Sequence, residues 1–499
     1  MLALISITSA AAVAAAYSYT PEQYSTISSK LNNGLSAGDT VYLENGVYNK
    51  FIITFRGNGQ VDKPIVLIAR NPGQVIISDS MKLWMSGSYL EVNGLVFKNG
   101  YAANSDIIRF HTGSSNLANN CRLTSCVIDG CNNTNLAKDQ TGVSERWIMM
   151  YGKNNRVDHC YFANKDRNGV LLMVDLSNEN SRSNGHIIEN NFFGYREKFS
   201  PGNGAETIRL GDSERSQYSS GTIVRRNFFY ECDGEVEVIS IKSCDNLIQQ
   251  NTFYESAGSI VCRHGHRNTI DGNVFIGNNK ANCGGVRIIN EGHKVYNNLF
   301  QDLAGTGGRS ALCIMTGYTV APAPPLAGYH QVKDADIAFN TFVNCSSLEF
   351  GTKSSYSGST GALPPLNTRF WNNIIYNTSI NSAIVETSGV DLSGISYDGN
   401  IVKMSSSSSW NKKGFKTQNI AYVKSNEIYK LSSTASADCL PAIGGIGNFD
   451  YITTDVTAAT RWGVKDAGGI QYDNRNHSVK APGTNECGVT WYSYNKPNY

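Results

Sequence analysis

A short phrase recurs along the chain and constrains the fold more than any other feature. Its copies combine apolar residues with two mostly polar residues, Asn, any residue, and an aromatic or apolar residue. The clear copies are HIIENNFF (186–193), TIVRRNFF (222–229), NLIQQNTF (246–253), NTIDGNVF (268–275), HKVYNNLF (293–300), ADIAFNTF (335–342) and TRFWNNII (368–375). Weaker copies are YLEVNGLVF (89–97), CRLTSCVI (121–128) and RVDHCYF (156–162). Repetition of this kind is the signature of a solenoid.

The spacing of the repeated asparagines predicts the type of solenoid. They are Asn191, Asn227, Asn251, Asn273, Asn298, Asn340 and Asn373, and the gaps from Asn227 to Asn298 are 24, 22 and 25 residues. The surrounding apolar pattern has period two, which favours strands over helices. Such gaps match one turn of a β-helix, and longer gaps hold loops at 307–331 and 350–367. We therefore predict an all-β chain with a single-stranded, right-handed parallel β-helix domain at 17–475.

Stacked coils predict two internal ladders. Equivalent side chains on neighbouring coils lie about 4.8 Å apart. The recurring Phe residues would form a buried stack, and the recurring Asn residues a hydrogen-bonded row at a corner. Both sets are therefore interpreted as structural, and function is sought where the repeat is broken.

The two ends of the chain lack the repeat. Residues 1–16, MLALISITSAAAVAAA, are apolar and end in small residues, which is typical of a signal peptide cleaved before Tyr17. We therefore predict a secreted protein. No later run of 18 apolar residues exists, so no internal membrane span is expected. Residues 476–499 show no strand pattern and are predicted to form a C-terminal tail.

Charge and cysteine usage exclude several classes of function. Lys and Arg number 43 and Asp and Glu 41, a formal net charge of +2. A protein that binds nucleic acid would carry an excess of basic residues, so we predict no nucleic-acid partner. The 12 cysteines include no CxxC pair, which argues against a zinc ribbon or a thioredoxin-like motif. Most lie in apolar runs, where Cys behaves as a small buried hydrophobe, although an oxidising compartment permits some pairing.

The densest break in the repeat lies at residues 231–267. Glu235 and Glu237 are two apart in a strand pattern, so their side chains point to one face. Two carboxylates on one face repel unless a proton or cation lies between them, and their oxygens suit Ca²⁺. A solvated strand face is the simpler alternative. Lys242 and Arg263 are 21 residues apart, close to one coil, so these cations could flank an anionic substrate from neighbouring coils.

Seven segments carry a family signature: NGAETIRLG (203–211), ECDGEVEVISIKS (231–243), GSIVCRHGHRN (258–268), GGVRIINEGHKVYNN (284–298), GRSAL (308–312), GYHQVKDADIAFNTFVNC (328–345) and RWGVKDAGGIQY (461–472). Together they resemble polysaccharide lyase family 6, the group that contains alginate lyases and chondroitinase B. The resemblance extends over almost the whole chain after residue 16. It implies a lyase of the alginate lyase, poly(β-D-mannuronate) lyase type, with an anionic polysaccharide as its partner.

The resemblance also implies roles for single residues. Calcium ligands match Asn203, Glu235 and Glu237. The Brønsted base matches Lys242, and the arginine on the acid side matches Arg263. Substrate-contacting positions match His264, Arg309 and Tyr329, with Arg287 as a nearby candidate.

The chemistry of β-elimination explains why these residue types belong together. A lyase removes the C5 proton of a uronate and expels the C4 oxygen. The adjacent carboxylate makes that proton weakly acidic, and calcium on the carboxylate would stabilise the developing charge. Lys242 must be neutral to accept the proton. Arg263 is expected to remain a cation that stabilises the leaving oxygen, because guanidinium hardly deprotonates in proteins.

Alternatives to an alginate lyase differ in how well the sequence supports them. No residue distinguishes alginate from dermatan or chondroitin sulfate. A non-catalytic, secreted polysaccharide-binding β-helix is disfavoured by the intact Lys242, Arg263 and calcium-ligand set. An inverting hydrolase needs a paired acid and base, and the other close pair, Asp334 and Asp336, lies in a repeat strand without a Lys or Arg partner motif. Oligomeric state, disulfide pairing, endo or exo action and mannuronate or guluronate preference are not readable.

Overall fold

The repeated strands stack into three long sheets around one core, and the predicted right-handed parallel β-helix is confirmed. The computed structural model describes residues 14–142, 145–200, 202–318, 329–353, 355–356, 359–405, 412–432, 449–461, 465–471, 479 and 481–493. The predicted signal peptide, 1–16, lies outside the described residues except for its last three. Ala16 already pairs with Thr40 in the first strand.

Within the described residues, each sheet contains 14 strands. The first sheet consists of Ala16–Tyr19, Thr40–Leu43, Ile65–Ala69, Leu90–Asn93, Arg122–Thr124, Arg156–Asp158, Ile187–Glu189, Ile223–Arg225, Leu247–Gln249, Thr269–Asp271, Lys294–Tyr296, Asp336–Ala338, Thr368–Trp371 and Ile395–Asp398. The second consists of Ile52–Asn58, Lys82–Ser88, Ile108–Arg109, His111–Gly113, Asn116–Asn119, Ile148–Met150, Leu172–Val174, Ile208–Gly211, Glu237–Lys242, Ser259–His264, Val286–Ile288, Leu312–Met315, Leu348–Thr352 and Ile384–Glu386. The third consists of Gly46–Asn49, Val75–Ser80, Val96–Tyr101, Val127–Asp129, Tyr161–Ala163, Phe192–Arg196, Phe228–Cys232, Thr252–Tyr254, Val274–Ile276, Leu299–Gln301, Thr341–Val343, Ile374–Asn377, Asn400–Met404 and Phe415–Thr417.

Few other elements accompany the sheets in the described part of the chain. The α-helix Tyr24–Asn32 packs on the edge strand Ile52–Asn58 and buries Ile27 and Leu31, so it covers the first coil of the core. The 3₁₀ helices are Pro21–Gln23, Glu179–Ser181, Gly307–Arg309 and Thr484–Glu486. The hairpins outside the sheets pair Ser355–Tyr356 with Ser359–Thr360 and Tyr422–Ser425 with Ile428–Leu431.

A column of stacked phenylalanines runs through the core, as the repeat predicts. Its members are Phe162, Phe193, Phe229, Phe253, Phe275, Phe300 and Phe342, all buried. Successive ring centroids lie 4.6–5.4 Å apart. Stacked aromatic pairs contribute roughly 0.5–1.5 kcal/mol beyond the area that they bury. The column therefore holds each coil in register with the next.

An unbroken row of buried asparagines joins the coils at one corner, as the repeat also predicts. Its members are Asn191, Asn227, Asn251, Asn273, Asn298, Asn340, Asn373 and Asn400. The Oδ1 of Asn251 accepts hydrogen bonds from both the backbone N–H and the side-chain Nδ2 of Asn227, each at 3.0 Å. The Nδ2 of Asn251 donates to the carbonyl of Val224 at 2.9 Å. Each amide thus satisfies buried polar groups on two coils.

The residue before each ladder asparagine bends the chain at the corner. Asn190, Arg226 and Gln250 have φ values of 55°, 53° and 52°. This left-handed conformation costs a non-glycine residue roughly 1–2 kcal/mol, and the amide hydrogen bonds of the ladder offset that cost. The two mostly polar residues of the repeat therefore lead into this corner, and the second of them adopts the left-handed conformation.

A second buried row at another corner includes histidines, which the repeat does not predict. The Oδ1 of Asn268 accepts from the backbone N–H of Asn246 at 2.9 Å. The Nδ1 of His293 plays the same part for Asn268 at 3.2 Å, and its Nε2 lies 2.8 Å from the carbonyl of Ile289. His186 accepts in the same way from Asn155 at 3.1 Å. These histidines are therefore neutral members of the row.

The described cysteines are buried, as their apolar surroundings predict, and no disulfide joins two of them; Cys439 lies outside the described residues. Cys160 extends the asparagine row, because its N–H donates to Asn191 and its Sγ accepts from the N–H of Cys126. No helix in the described ranges is long and apolar enough to cross a membrane.

The C-terminal segment packs on the outside of the solenoid. The last described strand of the three sheets ends at Thr417. Within the predicted tail at 476–499, Cys487 and Val489 pack against Val127 and Phe192 of the third sheet. Residues 476–478, 480 and 494–499 lie outside the described residues. The domain limits of 17 and 475 stay a prediction.

Replacing Asn251 with alanine should destabilise the fold. The change removes the acceptor of the Asn227 backbone N–H, together with one partner each of the Asn227 side-chain amide and the Val224 carbonyl. A buried polar group left unsatisfied in this way costs about 1–3 kcal/mol. We expect the free energy of unfolding, measured with urea, to fall by about 3–5 kcal/mol. Asn33→Ala, at an exposed position, is the matched control and should change it by less than about 0.5 kcal/mol. Equal effects would contradict a stabilising ladder.

Acid should weaken the fold through His293. Burial lowers the pKa of His293 to about 4, whereas an unfolded histidine has a pKa near 6.5. The unfolded chain therefore takes up the proton first, so this contribution is complete above about pH 7 and is lost as the pH falls from 6.5 towards 4. Between pH 7.5 and 5, His293→Asn should lose about 2 kcal/mol less unfolding free energy than the wild type. Identical losses would show that His293 does not titrate in this way.

Candidate active site

The residues that break the repeat lie on the outer face of the second sheet. They belong to, or immediately precede, four consecutive strands, Ile208–Gly211, Glu237–Lys242, Ser259–His264 and Val286–Ile288. The pairing aligns one row across these strands, Arg209, Ser240, Val261 and Arg287. Adjacent strands are about 4.8 Å apart, so residues separated by a whole coil in sequence become neighbours.

A bulge separates Arg263 from the regular alternation. Ile241 pairs with Cys262, but Lys242 pairs with His264, so Arg263 is an extra residue in its strand. Bulges redirect side chains and occur often beside active sites. The bulge therefore lets both Arg263 and His264 contribute to the surface near Lys242.

Three carboxylates meet at the site. Glu206, Glu235 and Glu237 are 2%, 7% and 6% exposed. Burial raises the pKa of Glu235 to about 9, and the charges of Glu206 and Glu237 and a hydrogen bond with Glu206 act in the same direction. The Oε2 of Glu206 is buried and has no hydrogen-bond partner among the described residues. Like charges this close require a proton or a cation between them.

Glu237 is balanced by cations on the next two coils. Its Oε1 accepts a hydrogen bond from Nη2 of Arg287 at 2.9 Å and lies 3.7 Å from Nε of Arg263. Burial alone would raise the pKa of Glu237, but Arg287, Arg263 and Lys242 outweigh burial and lower it. Ser240 also donates a hydrogen bond to this carboxylate. Glu237 is therefore an anion stabilised by three cations, Arg287, Arg263 and Lys242.

Lys242 lies beside the remaining carboxylates. Its Nζ is 3.6 Å from Oε1 of Glu206, and Nη1 of Arg209 is also 3.6 Å from that oxygen. The side chain of Lys242 is 16% exposed. It is thus largely shielded, and the exposed fraction leaves a path to a ligand on the sheet.

His264 and Tyr329 form the other side of the site. Burial, with the charges of Arg263 and Lys242, lowers the pKa of His264 to about 3, so its ring is neutral at neutral pH. Its Nδ1 is buried without a partner in the described ranges. The guanidinium of Arg263 lies over the ring of Tyr329, 4.5 Å from its centroid, which is a cation–π contact. A neutral imidazole can donate or accept a hydrogen bond with a hydroxyl-bearing ligand.

Two predicted residues lie at the margin. Arg309 ends a 3₁₀ helix, and burial and then the charge of Arg287 lower its pKa. Asn203 is exposed, three residues before Glu206, and no described residue hydrogen-bonds its side chain. The structure thus brings together seven of the predicted residues, Glu235, Glu237, Lys242, Arg263, His264, Arg287 and Tyr329. It places Arg309 beside them and does not show a contact for Asn203.

Sequence reasoning missed Glu206 and Arg209, although both belong to the segment at 203–211. A signal was available. Ile208 pairs with Ile239 on the next coil, so Glu206 and Glu237 each stand two residues before a paired position. Aligning the coils residue by residue, rather than by Asn alone, would have placed a third carboxylate at the site.

The oxygen donors at the site have the chemistry that a hard cation prefers, but the described side chains do not form a complete set of ligands. The described residues contain no group of three or more His, Cys, Asp or Glu side chains arranged to hold a metal ion. The buried carboxylates and the unpartnered Oε2 of Glu206 nevertheless provide hard, negatively charged oxygens, which is the ligand chemistry of Ca²⁺. A cation here would use some of these carboxylates together with neutral oxygens.

Comparison with known proteins places the chain among characterised relatives. A family model described as Chondroitinase B matches residues 22–449. The family 6 alginate lyase AlyGC is 31% identical with a TM-score of 0.80; the match covers 97% of this chain and 59% of that protein. A mannuronic acid specific family 6 lyase from human gut microbiota is 38% identical with a TM-score of 0.75, covering 82% of this chain and 92% of that one. No curated protein matches the sequence.

Proposed function

The chain belongs to polysaccharide lyase family 6, and on this premise we propose that it cleaves alginate by β-elimination, with calcium as its cofactor. One observation carries the proposal: Lys242 and Arg263 lie beside buried carboxylates on one face of the second sheet. Two relatives named as acting on alginate or mannuronic acid support this substrate. Cleavage of dermatan or chondroitin sulfate is the second candidate, favoured by the name of the matching family model.

Lys242 is the proposed base. It removes the C5 proton of the uronate, the electron pair forms the C4–C5 double bond, and the C4–O bond breaks. Its shielded position beside Glu206, with 16% exposure, limits water around the nitrogen. The chain's contribution is therefore to hold one amine at C5 while the sugar lies on the second sheet.

Arg263 is the proposed stabiliser of the leaving oxygen. Its guanidinium is held between Glu237 and the ring of Tyr329, so its position is preorganised for charge that develops at the C4 oxygen. The oxygen then takes a proton from water or from the phenol of Tyr329. His264, Arg287 and Arg309 supply further contacts to the sugar hydroxyls and carboxylates.

Glu235, Glu237 and Asn203 are the proposed ligands for calcium, and we add Glu206 because its Oε2 has no partner among the described residues. Calcium bound there would neutralise the uronate carboxylate and so acidify the C5 proton. Secretion is part of the proposal, because residues 1–16 are typical of a signal peptide.

Removing either Lys242 or Arg263 should abolish most activity. We expect Lys242→Ala and Arg263→Ala each to lower kcat at least about a hundredfold, because a positioned base or charge stabiliser typically contributes 10²- to 10⁴-fold. The double variant should lose little more, because the two groups serve one elimination. The measurement is the ultraviolet absorbance of the unsaturated product from alginate and, separately, from dermatan sulfate.

The matched control is Lys416→Ala, an exposed lysine on the third sheet, which should keep full activity. Thermal unfolding of every variant separates lost chemistry from lost fold. If Lys242→Ala retains more than about a tenth of the wild-type kcat, Lys242 is not the base.

Removing calcium should reversibly abolish activity. Exhaustive chelation is expected to leave no measurable rate, and added calcium to restore it. Calcium should also raise the Tm of the wild type by mass action, and raise that of Glu237→Gln by less. Full activity in protein shown by elemental analysis to be metal-free would remove calcium from the proposal.

A further inference from the structure

A polar pocket lies far from the active site, at the start of the solenoid. It has a volume of about 660 Å³ and is formed by the strands Ile52–Asn58, Lys82–Ser88 and Asn116–Asn119 of the second sheet, with Asn180 and Lys153 at its rim. None of the residues used for the proposed lyase chemistry lines it. The pocket therefore requires an explanation separate from the lyase chemistry.

The lining of the pocket is cationic and rich in amides. Arg56 and Lys153 are both exposed, and neither side chain forms a salt bridge or hydrogen bond with a described residue. The amides of Asn58, Asn116 and Asn180 surround them. The described residues that line the pocket include no Asp or Glu. Amides offer paired donors and acceptors to sugar hydroxyls, and unpaired cations attract a carboxylate.

Two glycines form part of the floor of the pocket. Gly57 pairs with Gly87 across neighbouring strands, and Gly87 has a φ of 113°. A Cβ at Gly87 would lie only 1.9 Å from the carbonyl oxygen of Gly57. A side chain is therefore excluded at Gly87, so this part of the floor consists of backbone alone.

The pocket shares a face of the sheet with the active site. Arg56 is two residues from Thr54, which pairs with Trp84, so these side chains lie on one face. The row then continues through Arg109, Met149, Met173 and Arg209. Six strand-to-strand steps separate the strand of Arg56 from that of Lys242, a distance of about 29 Å at about 4.8 Å per step.

We propose that this pocket is a second carbohydrate site, which binds an acidic segment of the polysaccharide through Arg56 and Lys153, several sugars away from the bond that is cleaved. The inference rests on the proposed function for the identity of the polymer. A chain bound at both places has a lower chance of dissociating between cuts, since the two contacts act as linked binding events. Short oligosaccharides cannot reach both sites.

The test compares polymer binding and oligosaccharide cleavage. In the Lys242→Ala background, Arg56→Gln/Lys153→Gln should weaken retardation by alginate in affinity electrophoresis about five- to tenfold, as expected for two exposed ionic contacts. In the otherwise wild-type enzyme, the same pair should raise KM for the polymer by a similar factor and leave kcat and cleavage of a trisaccharide unchanged. Lys416→Gln/Lys430→Gln removes the same charge from exposed positions elsewhere and should change neither.

Each outcome decides the inference. Polymer binding equal in the pocket variant and the control variant overturns the second site and leaves the lyase proposal intact. The second site is also overturned if alginate does not retard the Lys242→Ala protein itself. A protein that cleaves no uronate polymer, yet loses alginate binding with Arg56 and Lys153, refutes the proposed lyase activity and supports the pocket.

Discussion

Hydrogen bonding between buried asparagine amides is the interaction on which the rest of the structure depends. Each amide pairs with the next coil through two bonds and satisfies a carbonyl of the coil before. It thereby makes a sharp, left-handed corner tolerable in a buried position. The corner keeps the coils in register over the whole stack. Every cross-coil neighbour at the site follows from that register.

The site uses this rigidity to hold charges that would otherwise separate. Glu206, Glu235 and Glu237 are buried close together, and Lys242, Arg263 and Arg287 surround them. Desolvating so many charges is unfavourable unless partners are well placed. A flexible loop would relieve the repulsion by moving apart, whereas parallel strands locked by two ladders cannot. The charges therefore stay poised for an anionic ligand and a cation.

The second sheet carries both this site and the pocket at the start of the solenoid, with the buried Met149 and Met173 on the strands between them. A solenoid repeats the same surface position on each coil, so a linear polymer meets a series of equivalent places along the axis. Arg56 and Lys153 lie at one end of that series, and Lys242 lies six strand steps away. The architecture thus suits an extended substrate.

The sequence by itself determined the solenoid, its Phe and Asn ladders, and the segment holding Glu235, Glu237, Lys242 and Arg263, because each is a local pattern repeated at the length of a coil. Only the tertiary structure decided the rest. Three features depend on which residue faces which across coils: the bulge at Arg263, the position of Glu206 beside Glu235, and the histidines in the second buried row. Coil lengths vary with their loops, so that pairing is set by packing and hydrogen bonding in three dimensions rather than by spacing along the chain.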